Sequence, residues 1–151
     1  MAESNLSSHF NELDPEEQLF RMRHSAAHIL AEAVLEMFPE AKYAIGPPVD
    51  DGFYYDFELP RSLTPDDLDA LQVRMLQSVS ANLSITGGQI SKEAAREIFD
   101  NQPYKLELIE EIEDETVGHF RHGEFEDLCR GGHTETTGQV GAFKLDRIAG
   151  A

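Results

Sequence analysis

Turned at about 100° per residue, the stretch of residues 15–38 is apolar around most of its circumference, and this constrains the fold more than any other feature of the chain. Asp14 is placed to cap a helix there, Pro15 suits its first position, and Glu16 and Glu17 complement the helix dipole. Leu19, Met22, Ala26, Leu30, Ala33 and Met37 form one apolar stripe, and Phe20, Ala27, Ala31 and Leu35 form a second on the far side. Only Arg21, Ser25, Glu32 and Glu36 are left for a narrow wet strip. Such a helix is predicted to run through the interior of a domain. The chain has 151 residues, a length for one compact domain or at most two small ones, and 40% of them are hydrophobic, enough for a core.

The rest of the sequence reads as strands mixed with short helices. Residues 42–45 and 53–59 look like strands joined through Gly46-Pro47-Pro48 and Asp50-Asp51-Gly52, with Phe53, Tyr55, Phe57 and Leu59 on one face of the second. A helix opening at Thr64-Pro65 presents Leu68, Leu71, Met75 and Val79 at helical spacing. A short strand over 83–86, a break at Gly87-Gly88 and a small helix over 91–99 follow. Residues 104–109 read as another strand, which would put Lys105 opposite the more apolar face. Residues 117–120 and 124–129 read as strands, 140–145 as a closing strand, and 107–115 suits helix or strand equally. Strands and helices do not alternate strictly, so the prediction is an α+β fold: a mainly antiparallel sheet around the long N-terminal helix.

Composition limits the partners. Twelve basic against twenty-nine acidic residues give a net charge of −17, the wrong sign for wrapping a nucleic-acid backbone. No run approaches the roughly 18 apolar residues of a membrane span, and the polar N-terminus lacks the order of a secretion signal, which predicts a cytoplasmic protein with no membrane partner. The single cysteine, Cys129, excludes an internal disulfide.

Two histidine-bearing pairs carry the chemistry. In His24-Ser25-Ala26-Ala27-His28 the i, i+4 spacing sets both imidazoles on one face of the long helix, at the border of the second stripe with the wet strip. In Cys129-Arg130-Gly131-Gly132-His133 the glycine pair lets the backbone turn tightly and bring thiol and imidazole together. Either pair alone is more simply packing. Together they point to a site, and His24, His28, Cys129 and His133 also make a sensible tetrahedral zinc set. His9, His119 and His122 have no comparable geometry and read as surface or packing residues; the acidic run at 107–115 reads as a solvated face.

The runs HSAAHILAEAV, YAIGPPVDDGFYYDFEL and EFEDLCRGGH resemble the editing domain of threonyl-tRNA synthetases, and FKLDRIAGA resembles the join to the synthetic domain. The similarity runs from residue 17 to 151, leaving 1–16 as an N-terminal extension that need not be ordered. HxxxH with CxxxH is also similar to the editing domains of alanyl-tRNA synthetases, but the glycine-proline run before DDGFYYDF favours the threonyl branch. Three departures stand out: no ubiquitin-like domain precedes, Gly132 replaces the usual proline and is expected to affect only loop stiffness, and the sequence stops where the synthetic domain would begin.

The resemblance implies hydrolysis of the ester between serine and the terminal adenosine of a threonine tRNA. It implies a pocket of His24, His28, Cys129 and His133 joined by Tyr55, Lys105 and Asp127. Lys105 and His24 would position or deprotonate the water, Tyr55 and Asp127 would hold serine or ribose hydroxyls, and His28, Cys129 and His133 would shape the pocket. The partners implied are the aminoacylated 3′ end of tRNA and a synthetic domain of the same polypeptide. No cofactor is expected; the first alternative is a free-standing or zinc-dependent aminoacyl-tRNA editing protein of alanyl type, with zinc on the four-ligand set. A tRNA-binding module that has lost its chemistry is the second alternative.

Overall fold

The computed structural model describes residues 10–149. The start of the expected N-terminal extension, His9 included, and the last two residues lie outside that range. The long helix α1 spans Pro15–Met37, with the Asp14 carboxylate accepting from the Glu17 N–H at 2.8 Å and Pro15 in the first turn. It ends where the Phe38 N–H reaches back to the Val34 carbonyl.

Helix α1 lies between two apolar clusters, and Leu30 and Leu35 pack against both. Ala26, Ile29, Ala33 and Val34 pack with Phe38, Leu71, Met75 and Val140, while Ala27 and Ala31 pack with Tyr43, Tyr55, Phe99 and Phe125. Two expectations for this helix change. Leu19 and Phe20 are exposed, because the first turns extend past the core, and Ser25 is fully buried rather than wet. Helix α2, Pro65–Ala81, closes the first cluster; it opens on a capping box between Thr64 and Asp67 and buries Leu71 and Met75.

The strands make three antiparallel sheets. β1 (Lys42–Tyr43) pairs with β4 (Phe57–Glu58), and β2 (Pro48–Val49) with β3 (Gly52–Phe53). The expected continuous strand over 53–59 is broken at residues 54–56, yet its alternation survives: Tyr55 is buried and Tyr54 exposed. Gly46 is the reason that Tyr55 can turn in, since a Cβ there would collide with the Tyr55 ring. Arg23 of α1 holds the β2–β3 hairpin by donating to the carbonyls of Val49 and Asp50.

The third sheet has the order β5-β6-β7, with β5 at Thr86–Ser91, β6 at Thr116–His122 and β7 at Phe125–Leu128. Gly87-Gly88 is therefore not a break but the middle of a strand, where Gly87 passes against the Phe120 ring. Helix α3, Lys92–Ile98, is capped by Ser91.

The segment expected as a strand at 104–109 is helical: α4 spans Pro103–Glu111, and this also settles the first part of 107–115 as helix. Pro103 fits its first turn, and Lys105 and Ile109, four apart, face inward together. The alternation of Tyr104, Leu106 and Leu108 imitated a strand because a charged residue held the inward position. The closing strand expected over 140–145 is also absent; a 3-10 turn, Thr137–Val140, carries Val140 into the first cluster, and 141–149 has no regular structure.

Candidate active site

Helix α1 presents His24 and His28 on one face, with rings 5.0 Å apart. The chain leaving β7 brings Cys129 and His133 against them: His133 stacks on His24 at 3.9 Å and meets His28 edge-on at 4.3 Å. The turn that does this runs through Gly131 (φ 95°) and Gly132 (φ 84°), in the left-handed region open to glycine. Proline is fixed near about −65° and cannot adopt this backbone, so Gly132 sets the path of the loop, not merely its stiffness.

Lys105, Tyr55 and Asp127 form a second, contiguous group. Lys105 Nζ donates to the Ala44 carbonyl at 2.5 Å, to Tyr55 Oη at 2.9 Å and to the Asp127 carboxylate. Tyr55 Oη in turn donates to Asp127 Oδ2 at 2.5 Å. Asp127 points inward because β7 alternates, burying Phe125 and Asp127 and turning Glu126 outward. Lys105 is 1% exposed and Asp127 1% exposed, so the pair is withdrawn from water and each depends on the other. His28 joins the two groups, with Nε2 3.5 Å from Asp127 Oδ2. All seven residues, from α1, α4, β7, the break at 54–56 and the chain after β7, thus lie in one cluster.

Burial sets the electrostatics. The pKa of His24 is lowered by desolvation, partly offset by its hydrogen bond to the Gly132 carbonyl. Desolvation takes His28 and His133 well below the usual imidazole value, helped by the neighbouring histidines and, for His28, by Lys105. Burial pushes the Cys129 thiol up to about 12 and the Tyr55 phenol well above its usual value. The resting site is a set of neutral imidazoles, a thiol, a phenol and one Lys–Asp pair.

This has a measurable consequence. Three histidines with lowered folded-state pKa values bind protons less well than the unfolded chain, whose histidines titrate near 6.5. Stability is therefore present above that value and lost as pH falls below it, by at most about 1.4 kcal/mol per histidine per pH unit. Urea unfolding is expected to give a lower stability at about pH 5.5 than at about pH 7.5; equal or higher stability at the acid value would contradict the burial of neutral imidazoles.

The four donors His24, His28, Cys129 and His133 have ligand atoms within 4.8 Å of one another, and their chemistry fits a zinc ion. His24 donates through Nδ1 to the Gly132 carbonyl at 3.3 Å, which leaves Nε2 as a free lone pair.

His122 does not behave as a surface residue. It is 2% exposed, and its Nε2 lies 3.1 Å from Glu32 Oε1, within ion-pair range but not aligned as a hydrogen bond. His119 is partly buried and reaches Glu126 at 2.8 Å, away from the cluster. Sequence reasoning also missed Ser25 and Thr134, both buried beside His133. Their adjacency to His24 and His133 in sequence was the one available signal.

An α+β domain that brings HxxxH and CxxxH together defines a class. Residues 117–150 match the family described as Threonyl and Alanyl tRNA synthetase second additional domain. Over those residues the chain is similar to that family. The chain is also similar to threonine–tRNA ligases: 57% identity over 146 residues with that of Dehalococcoides mccartyi, covering 97% of this chain and 25% of the relative. The enzyme of Rubrobacter xylanophilus is 49% identical over 138 residues (91% and 22%), and that of Legionella pneumophila 47% over 139 (90% and 22%). The chain spans about a quarter of the length of these curated relatives. Among the described residues no helix is long and apolar enough to cross a membrane.

Proposed function

We propose that the domain hydrolyses the ester of serine wrongly attached to the 3′-terminal adenosine of a threonine tRNA, as the editing part of a threonine–tRNA ligase. The need is physical: a synthetic site that holds threonine cannot sterically refuse serine, one methyl smaller, and the difference is worth only about 1–3 kcal/mol. The observation that carries the reading is the pairing of a neutral, accepting His24 Nε2 with a buried cation, Lys105, in one cluster.

Water attacks the ester carbonyl, the bond to the ribose oxygen breaks, and the proton lost by water ends on that oxygen, giving serine and free tRNA. His24 Nε2 accepts the hydrogen bond from water and takes its proton. Lys105 has all three N–H groups engaged, so it has no lone pair to act as base and serves as the positive charge facing the developing oxyanion. Tyr55 spends its one proton on Asp127 and orients the pair, while Asp127 Oδ2 and His28 border the space for the serine and ribose hydroxyls. Cys129 and His133 line the pocket wall.

The net charge of −17 makes this surface a poor grip for RNA, so affinity is assigned to the remainder of a longer polypeptide, where tethering raises the effective concentration of the aminoacylated end. The donor set that fits zinc supports a second reading, of alanyl type, in which His24, His28, Cys129 and His133 would hold the ion and it would supply Lewis-acid polarisation. Similarity to threonine–tRNA ligases favours the first reading. Release of serine from seryl-tRNA is expected to continue in excess chelator; abolition by chelator with recovery on added zinc would replace the first reading by the second.

A further inference from the structure

Ser25 lies fully buried between the two histidines of α1 and has no part in the scheme above. Its Oγ is 2.9 Å from His133 Nδ1, 3.0 Å from the Thr134 backbone nitrogen and 3.2 Å from Thr134 Oγ1. Thr134 Oγ1 is itself 2.8 Å from the Thr136 carbonyl oxygen. The protons can be assigned from that end. A carbonyl oxygen only accepts, so the Thr134 hydroxyl donates to Thr136. Ser25 must then give its single hydrogen to Thr134 Oγ1, which leaves its two lone pairs for the Thr134 N–H and for His133 Nδ1. His133 Nδ1 is therefore the donor, and Nε2, 3.2 Å from Cys129 Sγ, carries the lone pair. The opposite arrangement, with Ser25 donating to Nδ1, would leave two buried hydroxyl oxygens facing each other with no proton between them, an uncompensated loss.

We infer that Ser25 and Thr134 are positioning residues which lock His133 in its Nδ1–H tautomer, so that the pocket meets an accepting Nε2 instead of an N–H. The Cys129 S–H donates to that nitrogen at rest. A substrate with donors, such as the ammonium and hydroxyl of an esterified serine, finds an acceptor there. Only this last consequence rests on the editing reading; the tautomer stands apart from it.

The test uses the whole chain labelled with ¹⁵N-histidine, with long-range proton–nitrogen correlations of the imidazoles and His133 assigned by its disappearance in His133→Asn. The wild type is expected to show a pyrrole-like Nδ1 and a pyridine-like Nε2 at His133. Thr134→Val, nearly isosteric, removes the acceptor of the Ser25 hydrogen and frees it to turn toward Nδ1, shifting His133 to Nε2–H. Ser25→Ala removes the acceptor of Nδ1–H and shifts it the same way. Seryl-ester hydrolysis should fall about 10–100-fold in both, as when a partner that orients a site histidine is lost. A pyrrole-like Nε2 in the wild type, or Nδ1–H retained in the folded Thr134→Val protein, would overturn the inference. The expected tautomers without any ester hydrolysis would uphold it and remove the editing reading instead. Should Ser25→Ala not fold, the wild type and Thr134→Val still decide.

Discussion

Lys105→Met is expected to lower the free energy of unfolding by about 3–5 kcal/mol, a large fraction of what a domain of this size has. The substitution keeps the side-chain length but strands Asp127, which is 1% exposed and bound by Lys105, Tyr55 and the Leu128 N–H. An uncompensated buried carboxylate is costly, and part of the cost is relieved only by protonation. Removing both charges, in Lys105→Met with Asp127→Leu, is expected to give a protein more stable than either single variant, because a buried pair is worth little against apolar groups of similar volume. Urea denaturation measures all four proteins. A loss below about 1 kcal/mol for Lys105→Met, the size of an ordinary substitution, would mean that the pair is not withdrawn from water.

The second large effect is on rate. His24→Ala is expected to slow seryl-ester hydrolysis by about 10²–10³, within the range that a positioned general base contributes. Lys105→Ala should cost a similar factor through the lost cation, measured where circular dichroism shows that variant still folded. The control is His119→Ala, whose side chain meets Glu126 outside the cluster and whose removal should change little. His122 is unsuitable as a control, since its buried contact with Glu32 makes any substitution there a change in stability. Full activity in His24→Ala would remove His24 from the chemistry and the proposed base with it.

What was legible in the sequence follows from range. The helix and its cap were visible because Asp14, Pro15 and the apolar spacing act within a few residues of one another. HxxxH was visible for the same reason, and CxxxH because two glycines between the partners announce a turn. Lys105 was hidden twice over: a charged residue at an inward position spoiled the helical period, and its three acceptors come from Ala44, Tyr55 and Asp127, far along the chain. Ser25 was placed in the wet strip because nothing near it in sequence reveals His133 and Thr134, more than a hundred residues away. The dispensable look of Gly132 failed on backbone geometry alone, since its φ of 84° excludes the proline that the resemblance expects there.

Under the proposed function, this pocket destroys the serine ester and spares the threonine ester. Exclusion would account for such a choice, because one methyl meeting a rigid wall raises a barrier that an open site would barely register. Single-turnover deacylation with enzyme in excess, on one threonine tRNA charged with serine or with threonine, measures it directly. Serine is expected to be released at least about ten times faster, the low end of what one methyl is worth. Equal rates for the two esters would contradict the account.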